Sequence, residues 1–239
     1  MSTVGGPKQV TDGLIISLDA ANRKSYPGSG TSWYDLYGGG YVGTLTNGPI
    51  HNTTHFTFDG TNDSIRFGDI LDMNTNPFTI NVWARKTADS PSDSYGGALV
   101  SKGSFGGGLT GYSTYILETT YNSGQSGFQV RAANVYGTQS GNTIPNNEWL
   151  LYTGIRDTVN TEVRHYQNGV LKATTDAPNT DNLDNTFVWT VGALSGNASG
   201  TIYYRHLKGD ISKIDMYNRA LTSQEILQNY NATKSRFGL

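Results

Sequence analysis

Short stretches in which apolar and polar residues alternate recur along most of the chain. In residues 78–85 every second side chain from Phe78 to Ala84 is apolar, which is the period of a β-strand buried on one face. About a dozen such stretches, with no helical period between them, predict an all-β fold of antiparallel strands, either a sandwich or a barrel. The other predicted strands lie within residues 13–19, 55–60, 64–67, 98–100, 112–118, 127–132, 149–156, 162–173, 187–193 and 209–217.

Two local motifs add detail to this prediction. Asn168-Gly169 is a strong signal for a tight hairpin within residues 162–173, because both residues accept the positive φ angles of a type I′ turn. Thr222-Ser223-Gln224-Glu225 matches the capping box, in which a hydroxyl and a carboxylate satisfy free N–H groups at the start of a helix. The apolar stripe that begins at Ile226 therefore predicts one short amphipathic helix near the C-terminus.

The length of 239 residues is compatible with one β-sandwich domain, and no linker composition interrupts the strand pattern. We predict an N-terminal arm, residues 1–11, which would tether a neighbouring subunit, and a single domain, residues 12–239. The absence of cysteine excludes disulfides, a thiol nucleophile and a cysteine-ligated zinc site. The start of the chain has no basic segment followed by an apolar run, so no signal peptide is predicted.

The charge pattern narrows the range of partners. The net charge is −2, and the 17 lysines and arginines are scattered rather than gathered in a basic stripe, which argues against nucleic acid as a partner. No apolar stretch is long enough to span a membrane. Thirty glycines and fifteen tyrosines instead indicate many tight turns and amphipathic strands.

An ordered series of motifs runs along nearly the whole chain: GLIISLDAAN at 13–22, SYPGSGTSWYDL at 25–36, FDGTND at 58–63, GDI at 209–211 and MYNRALT at 216–222. In this order they resemble the laminin-G-like, concanavalin A-like jelly-roll domains of tailed-phage virion proteins of the marine and cyanophage type. The resemblance implies a two-sheet antiparallel jelly-roll β-sandwich with one short C-terminal helix.

The same resemblance implies a function. The chain would be a non-catalytic virion structural protein, a head-decoration, neck, tail or fibre component that displays a lectin-like jelly roll on the virion surface. It would be made in the host cytoplasm, would bind other virion proteins and would form a homo-oligomer. A second function stays open, a carbohydrate-binding adhesin that recognises host surface glycans. An exposed aromatic ring in a groove would favour the adhesin, and extensive apolar surface at one edge, around the N-terminal segment or the C-terminal helix, would favour assembly.

Catalysis is not expected. Glucan-cleaving enzymes on this fold carry a Glu-x-Asp-x-x-Glu strand, because retaining hydrolysis needs two carboxylates about 5 Å apart. The four glutamates do not have this spacing, and Arg164-His165-Tyr166-Gln167 reverses the Gln-x-His order of the polysaccharide lyases on this fold. No catalytic residue is predicted.

A structural calcium ion is the one cofactor that the resemblance implies, bound by loop carbonyls and a strand carboxylate. The closing strand of the family commonly reads Gly-x-Ile-Asp, but here Ser212 replaces the aspartate. The remaining candidate ligands are turn residues that could equally cap the backbone, Asp19, Asp59, Gly60 and Asp63.

Sugar binding would use an exposed aromatic ring beside hydrogen-bonding groups, because a pyranose has an apolar face and a polar rim. These aromatic residues could instead pack between strands or form a protein interface. The candidates for the sugar site are Tyr112, Tyr136, Trp189, Tyr203 and Tyr204.

Overall fold

The computed structural model describes residues 6–89, 96–104, 114–121, 125–131, 135–141, 143–177, 181–201 and 203–239. Within these ranges, two antiparallel sheets of eight strands each pack into a β-sandwich, with a short hairpin beside them and one α-helix near the C-terminus. The predicted fold class is confirmed. In the same ranges, no helix is long and apolar enough to cross a membrane.

The strands of sheet A are β1 (Leu14–Asp19), β4 (Ile50–His51), β5 (Phe56–Asp59), β7 (Phe78–Lys86), β12 (Leu150–Asp157), β13 (Glu162–Gln167), β14 (Val170–Asp176) and β18 (Lys208–Tyr217). Their order across the sheet is β14-β13-β12-β7-β18-β5-β4, and β1 pairs with β18 beyond the end of β5.

The strands of sheet B are β2 (Ser32–Tyr34), β3 (Val42–Thr46), β6 (Ser64–Arg66), β8 (Ala98–Lys102), β9 (Thr114–Tyr121), β10 (Gln125–Arg131), β11 (Val135–Gln139) and β15 (Thr190–Val191). Their order is β11-β10-β9-β8-β15-β6-β3-β2. Outside the two sheets lie the hairpin of β16 (Leu194–Ser195) and β17 (Tyr203–Tyr204), the helix α1 (Ser223–Thr233) and a 3₁₀ turn (Lys234–Phe237).

The main core lies between the sheets. Side chains at alternate positions of β7, from Phe78 to Ala84, point into this core as the alternation predicts. The opposite face of β7 is buried as well, because the C-terminal segment covers it. Trp83 stacks on Phe237 with 4.0 Å between ring centroids, and its indole N–H donates to Thr233 Oγ1 at 2.8 Å.

The two chain ends meet on this outer face of sheet A. The N–H of Val10 donates to Asn229 Oδ1 at 2.9 Å, and the Tyr217 hydroxyl donates to the Val10 carbonyl at 3.0 Å. Gln228 in α1 also donates to the Lys8 carbonyl at 2.7 Å. Residues 8–10 of the predicted N-terminal arm therefore pack against the helix of their own chain.

Most predicted elements are confirmed, including both local motifs. Asn168 and Gly169 have φ angles of 50° and 80° and connect β13 to β14. Thr222 caps α1, and both hydrogen bonds of its capping box are present. The prediction is wrong for most of residues 187–193, where only Thr190–Val191 pair as a strand, and it omits short strands such as β2 and β4.

Candidate functional site

An open pocket of about 460 Å³ lies at the loop that connects β6 in sheet B to β7 in sheet A. Half-buried Ile15 and buried Leu71 and Met73 supply its apolar surface, and Asp72, Asn76 and Asn218 supply polar groups. One aromatic ring, that of half-buried Tyr41, completes the lining. We call this cavity the Tyr41 pocket.

The loop that carries Tyr41 is organised by one carboxylate. Asp35 accepts the N–H groups of Ser17, Tyr37, Gly38 and Gly39 at distances of 2.8 to 3.2 Å. Its own N–H donates to the carbonyl of Tyr41 at 2.9 Å. The Tyr41 ring packs directly over Gly39, where an added Cβ would collide with the ring. The loop backbone is thus fixed by Asp35, and the ring packs on that loop.

The opposite side of the pocket is fixed by a buried lysine. Lys102 is fully buried in β8, and its Nζ lies 3.0 Å from Asp72 Oδ1 and 2.6 Å from Asp69 Oδ1. It also donates to the Phe187 carbonyl at 3.0 Å, so this cation has oxygen partners on several sides. A buried lysine needs such partners, because an unpaired charge in the interior is costly. Asp72 is therefore held in one orientation at the pocket.

The chemistry of the Tyr41 pocket suits a small polyol with an apolar face. An aromatic ring and aliphatic side chains match the C–H face of a sugar ring, and the carboxylate and amide groups can bind its hydroxyls. Asn76 and Asn218 are exposed, so their amides are open to a ligand. Asp72 is the one carboxylate in the described lining, whereas retaining hydrolysis needs two at close range.

A second, larger pocket of about 520 Å³ lies at the start of α1 and is less suited to a ligand. Its two arginines already have carboxylate partners, Arg164 with Asp157 at 2.6 Å and Arg219 with Glu225 at 2.6 Å. The hydrogen bonds from Arg219 lower the pKa of Glu225 to about 2, against a smaller opposing effect of burial. A ligand would have to break these ion pairs before it could bind.

Three of the five predicted sugar-binding side chains lie in the part of the chain that the structure describes, and their exposure differs. Trp189 requires a correction: it is fully buried, packed edge-to-face on Phe67 at 4.8 Å, so it has no face to offer a sugar. Tyr203 is half-buried, and its ring lies beneath the Arg66 guanidinium at 4.0 Å. Tyr204 is 48% exposed on the β16–β17 hairpin. Tyr112 and the side chain of Tyr136 lie outside the described residues.

The predicted calcium ligands lie in two places. Asp19 is opposite Lys213 of β18 and Asp59 is opposite Lys208, which separates them by five residues, or about 16 Å of strand. Asp59 accepts the N–H groups of Thr61 and Asn62, and Asp63 accepts the N–H of Asp59. Beside them Gly60 has the positive φ of a turn.

These carboxylates at 59–63 are engaged in capping their own turn. Within the described residues no cluster of three or more histidine and acidic side chains is arranged to hold a metal.

The architecture and the pocket place the chain among lectin-like jelly-roll domains. Residues 59–227 match the Laminin_G_3 family model, which is described as the Concanavalin A-like lectin/glucanases superfamily. This match covers more than half of the chain, so the protein belongs to that family. No curated protein is significantly similar to the chain in sequence.

Solved structures with the same fold share little sequence with this chain. Domain 4 of AbnA, a GH43 extracellular arabinanase from Geobacillus stearothermophilus solved with arabinotriose, is 16% identical with a TM-score of 0.63, and the alignment covers 94% of this chain and 99% of that one. The binding domain of Paraclostridial Mosquitocidal Protein 1 is 14% identical with a TM-score of 0.62, over 92% of this chain and 52% of that one.

Trypanosoma rangeli sialidase is 15% identical with a TM-score of 0.66, over 94% of this chain and 34% of the enzyme. The chain thus spans about half of the toxin domain and a third of the sialidase. Because sequence identity with these three structures is 16% or lower, the structural similarity establishes the shared fold and nothing further.

The sequence contained one overlooked signal for the Tyr41 pocket. Tyr34, Tyr37 and Tyr41 surround the glycine run 38–40, and none of the three was a predicted site residue. Tyr34 and Tyr37 are both exposed in the structure. No local pattern marked Asp72, Asn76 or Asn218, because the fold brings the loop that carries Asp72 and Asn76 next to Asn218 and Tyr41 from distant parts of the chain.

Proposed function

We propose that this chain is a non-catalytic carbohydrate-binding module and that the Tyr41 pocket is its ligand site. The observation that carries the proposal is the combination of a half-buried tyrosine ring, an aliphatic surface and exposed amides in one open cavity. The arabinanase domain solved with arabinotriose supports it, because that domain matches this chain over almost the full length of both. The single carboxylate in the described lining supports binding without hydrolysis.

The test is a glycan-array screen of the purified chain, followed by calorimetric titration of the best ligand into the wild type and Tyr41→Ala. Loss of the ring should weaken binding about tenfold or more, since stacking and apolar contact are worth roughly 1.5–3 kcal/mol. Tyr204→Ala is the matched control, because Tyr204 is exposed but lies on the separate β16–β17 hairpin.

The outcomes separate the candidate sites. Weaker binding by Tyr41→Ala alone supports the Tyr41 pocket, whereas weaker binding by Tyr204→Ala alone moves the site to the hairpin. A chain that binds no glycan on the array overturns the carbohydrate proposal altogether.

We further propose that the module is displayed on the surface of a phage particle, where it would act as an adhesin or as an assembly unit. Three exposed apolar side chains favour the assembly role: Leu227 of α1 lies against Gly169, and Val170 and Leu171 follow that glycine in β14. Light scattering tests this role: a discrete oligomer in the wild type that dissociates in Leu227→Ser would support it. A monomer at all concentrations would contradict it.

A further inference from the structure

One arginine near the C-terminus lies among oxygen atoms from three distant segments. Arg236 Nη1 lies 2.8 Å from Asp19 Oδ1 and 2.9 Å from Asp19 Oδ2, at the end of β1. Its Nη2 donates to Ser212 Oγ in β18 at 2.8 Å and to the Thr54 carbonyl in the β4–β5 loop at 3.2 Å. The guanidinium therefore has four oxygen partners.

The same segments are also joined by hydrogen bonds that do not involve the arginine. The Ser212 hydroxyl donates to the Thr54 carbonyl at 2.6 Å, and the N–H of Ala20 donates to the Ser212 carbonyl at 2.9 Å. Asp19 Oδ1 also accepts the N–H of Ala21 at 3.0 Å. The fold brings three segments together so that the Asp19 carboxylate, the Ser212 hydroxyl and the Thr54 carbonyl all lie next to the Arg236 guanidinium.

A carboxylate, a hydroxyl and a carbonyl are also the ligand types that a hard divalent cation takes. The resemblance of the sequence implied a calcium ion with a carboxylate at the place of Ser212, and the structure brings Ser212 and Asp19 to the same guanidinium. The residues do not fit an added ion, because a cation already fills the place between them.

The arginine is held there by its neighbour. Phe237 stacks on Trp83 at 4.0 Å and 18° and contacts Trp149 at 5.0 Å, which fixes the 3₁₀ turn against sheet A. Arg236 is thus presented to the oxygen group by an anchored segment and loses little further freedom when it binds.

We infer that Arg236 is a tethered cation that takes the place of a bound divalent ion and locks the C-terminal segment to sheet A. The planar guanidinium donates several N–H groups to the carboxylate, hydroxyl and carbonyl. Its positive charge lies where the charge of a bound ion would lie. The domain therefore needs no added ion at this position, and its stability depends on its own C-terminus.

The first experiment measures the melting temperature of the wild type, Arg236→Ala and Lys234→Ala, each with millimolar CaCl₂ and with EDTA. Lys234 is the matched control, because it is a cation of the same turn whose ammonium group lies over the Tyr230 ring, 5.2 Å from its centroid, and away from the oxygen group. We expect the wild type to melt at the same temperature in both buffers. Arg236→Ala should melt about 3 °C lower or more, and Lys234→Ala should be almost unchanged.

The second experiment restores an ion site. In Ser212→Asp/Arg236→Ala, two carboxylates and the Thr54 carbonyl should bind one calcium ion by calorimetry, and CaCl₂ should raise the melting temperature reversibly. Arg236→Ala alone retains Asp19, Ser212 and Thr54, so calcium should restore part of its lost stability even if the double variant fails to fold.

Three results would overturn the inference. They are calcium binding by the wild type, equal melting of Arg236→Ala and Lys234→Ala, and no effect of calcium on either variant that lacks Arg236. None of these results depends on whether the Tyr41 pocket binds a sugar.

Discussion

At the scale of single residues, one titratable group, His165, is fully buried between the two sheets. Its ring is fully buried, and its Nδ1 must donate to the Thr153 carbonyl at 3.0 Å, because a carbonyl can only accept. Nε2 therefore accepts from the Ser126 hydroxyl at 2.5 Å, and that hydroxyl in turn accepts from Gln167 at 2.8 Å. Burial lowers the pKa of His165 to about 4.

This pKa predicts a pH-dependent loss of stability. In the unfolded chain His165 titrates near 6.5, so between about pH 6.5 and 4 the unfolded state binds a proton that the folded state does not. The stabilisation is complete above pH 6.5 and falls with pH by up to about 3 kcal/mol. Urea unfolding of the wild type and His165→Gln at several pH values measures it. Parallel curves for the two proteins would show that His165 is not the cause.

At the scale of elements, β14 ends the strand order of sheet A and shows how an edge is protected. Its residues are mostly exposed, and the register with β13 shifts between His165 and Tyr166, which leaves Lys172 as an unpaired bulge residue. A bulge and a lysine on an edge strand both discourage pairing with another chain. The neighbouring Val170 and Leu171 make this protection necessary, because they are exposed and apolar.

Replacement of this lysine should therefore promote self-association. Lys172→Ile extends the run Val170-Leu171 into three apolar residues, and we expect its apparent mass in light scattering to rise with concentration. Lys24→Ile is the control, since Lys24 is an exposed lysine in a loop outside the strands. If both variants behave alike, total charge rather than edge protection governs association.

At the scale of the whole molecule, the two ends of the chain jointly cover the outer face of sheet A. Val10 from the N-terminal segment and Ile226 from α1 belong to one apolar cluster, which also includes Ile155, Tyr166 and Tyr217 of the sheet. This second core explains why strands such as β12 and β18 are buried on both faces. The N-terminal residues therefore contribute to the stability of the domain.

Two truncations measure this contribution. Removal of residues 1–11 takes away the buried Val10 side chain and the two hydrogen bonds that its backbone makes with Asn229 Oδ1 and the Tyr217 hydroxyl, at a cost of about 3 kcal/mol. Removal of residues 1–7 retains Lys8 and Val10 and should change stability little. Chemical denaturation compares both with the full chain. Equal stability of the two truncated proteins would mean that the contacts of Val10 do not contribute.

Local physics made much of the fold predictable from the sequence. The alternation in Phe78 to Ala84 reflects a period of two that holds in any half-buried strand, and Asn168-Gly169 and Thr222 to Glu225 satisfy their own backbone geometry. The two-residue strands β4 and β15 were missed or misplaced, because two residues are too few to show an alternation of apolar and polar positions. Their position is set by the longer strands beside them.

The candidate site was much less predictable. Trp189 and Tyr41 are both aromatic residues near glycines, yet one is fully buried and the other lines an open pocket. A sequence tells which face of a strand a residue lies on, but not what covers that face. The same limit applies to Trp83, whose outward face is buried only because Phe237 returns to it from the end of the chain.

The sequence by itself determined the all-β class, the hairpin turn, the capped helix and the residues of the inner core of β7, because each depends on interactions within a few neighbouring positions. The tertiary structure alone decided the Tyr41 pocket, the pairing of Arg236 with Asp19 and the second core beneath the chain ends. Each of these joins segments far apart in sequence, and their geometry is set by how the two sheets pack.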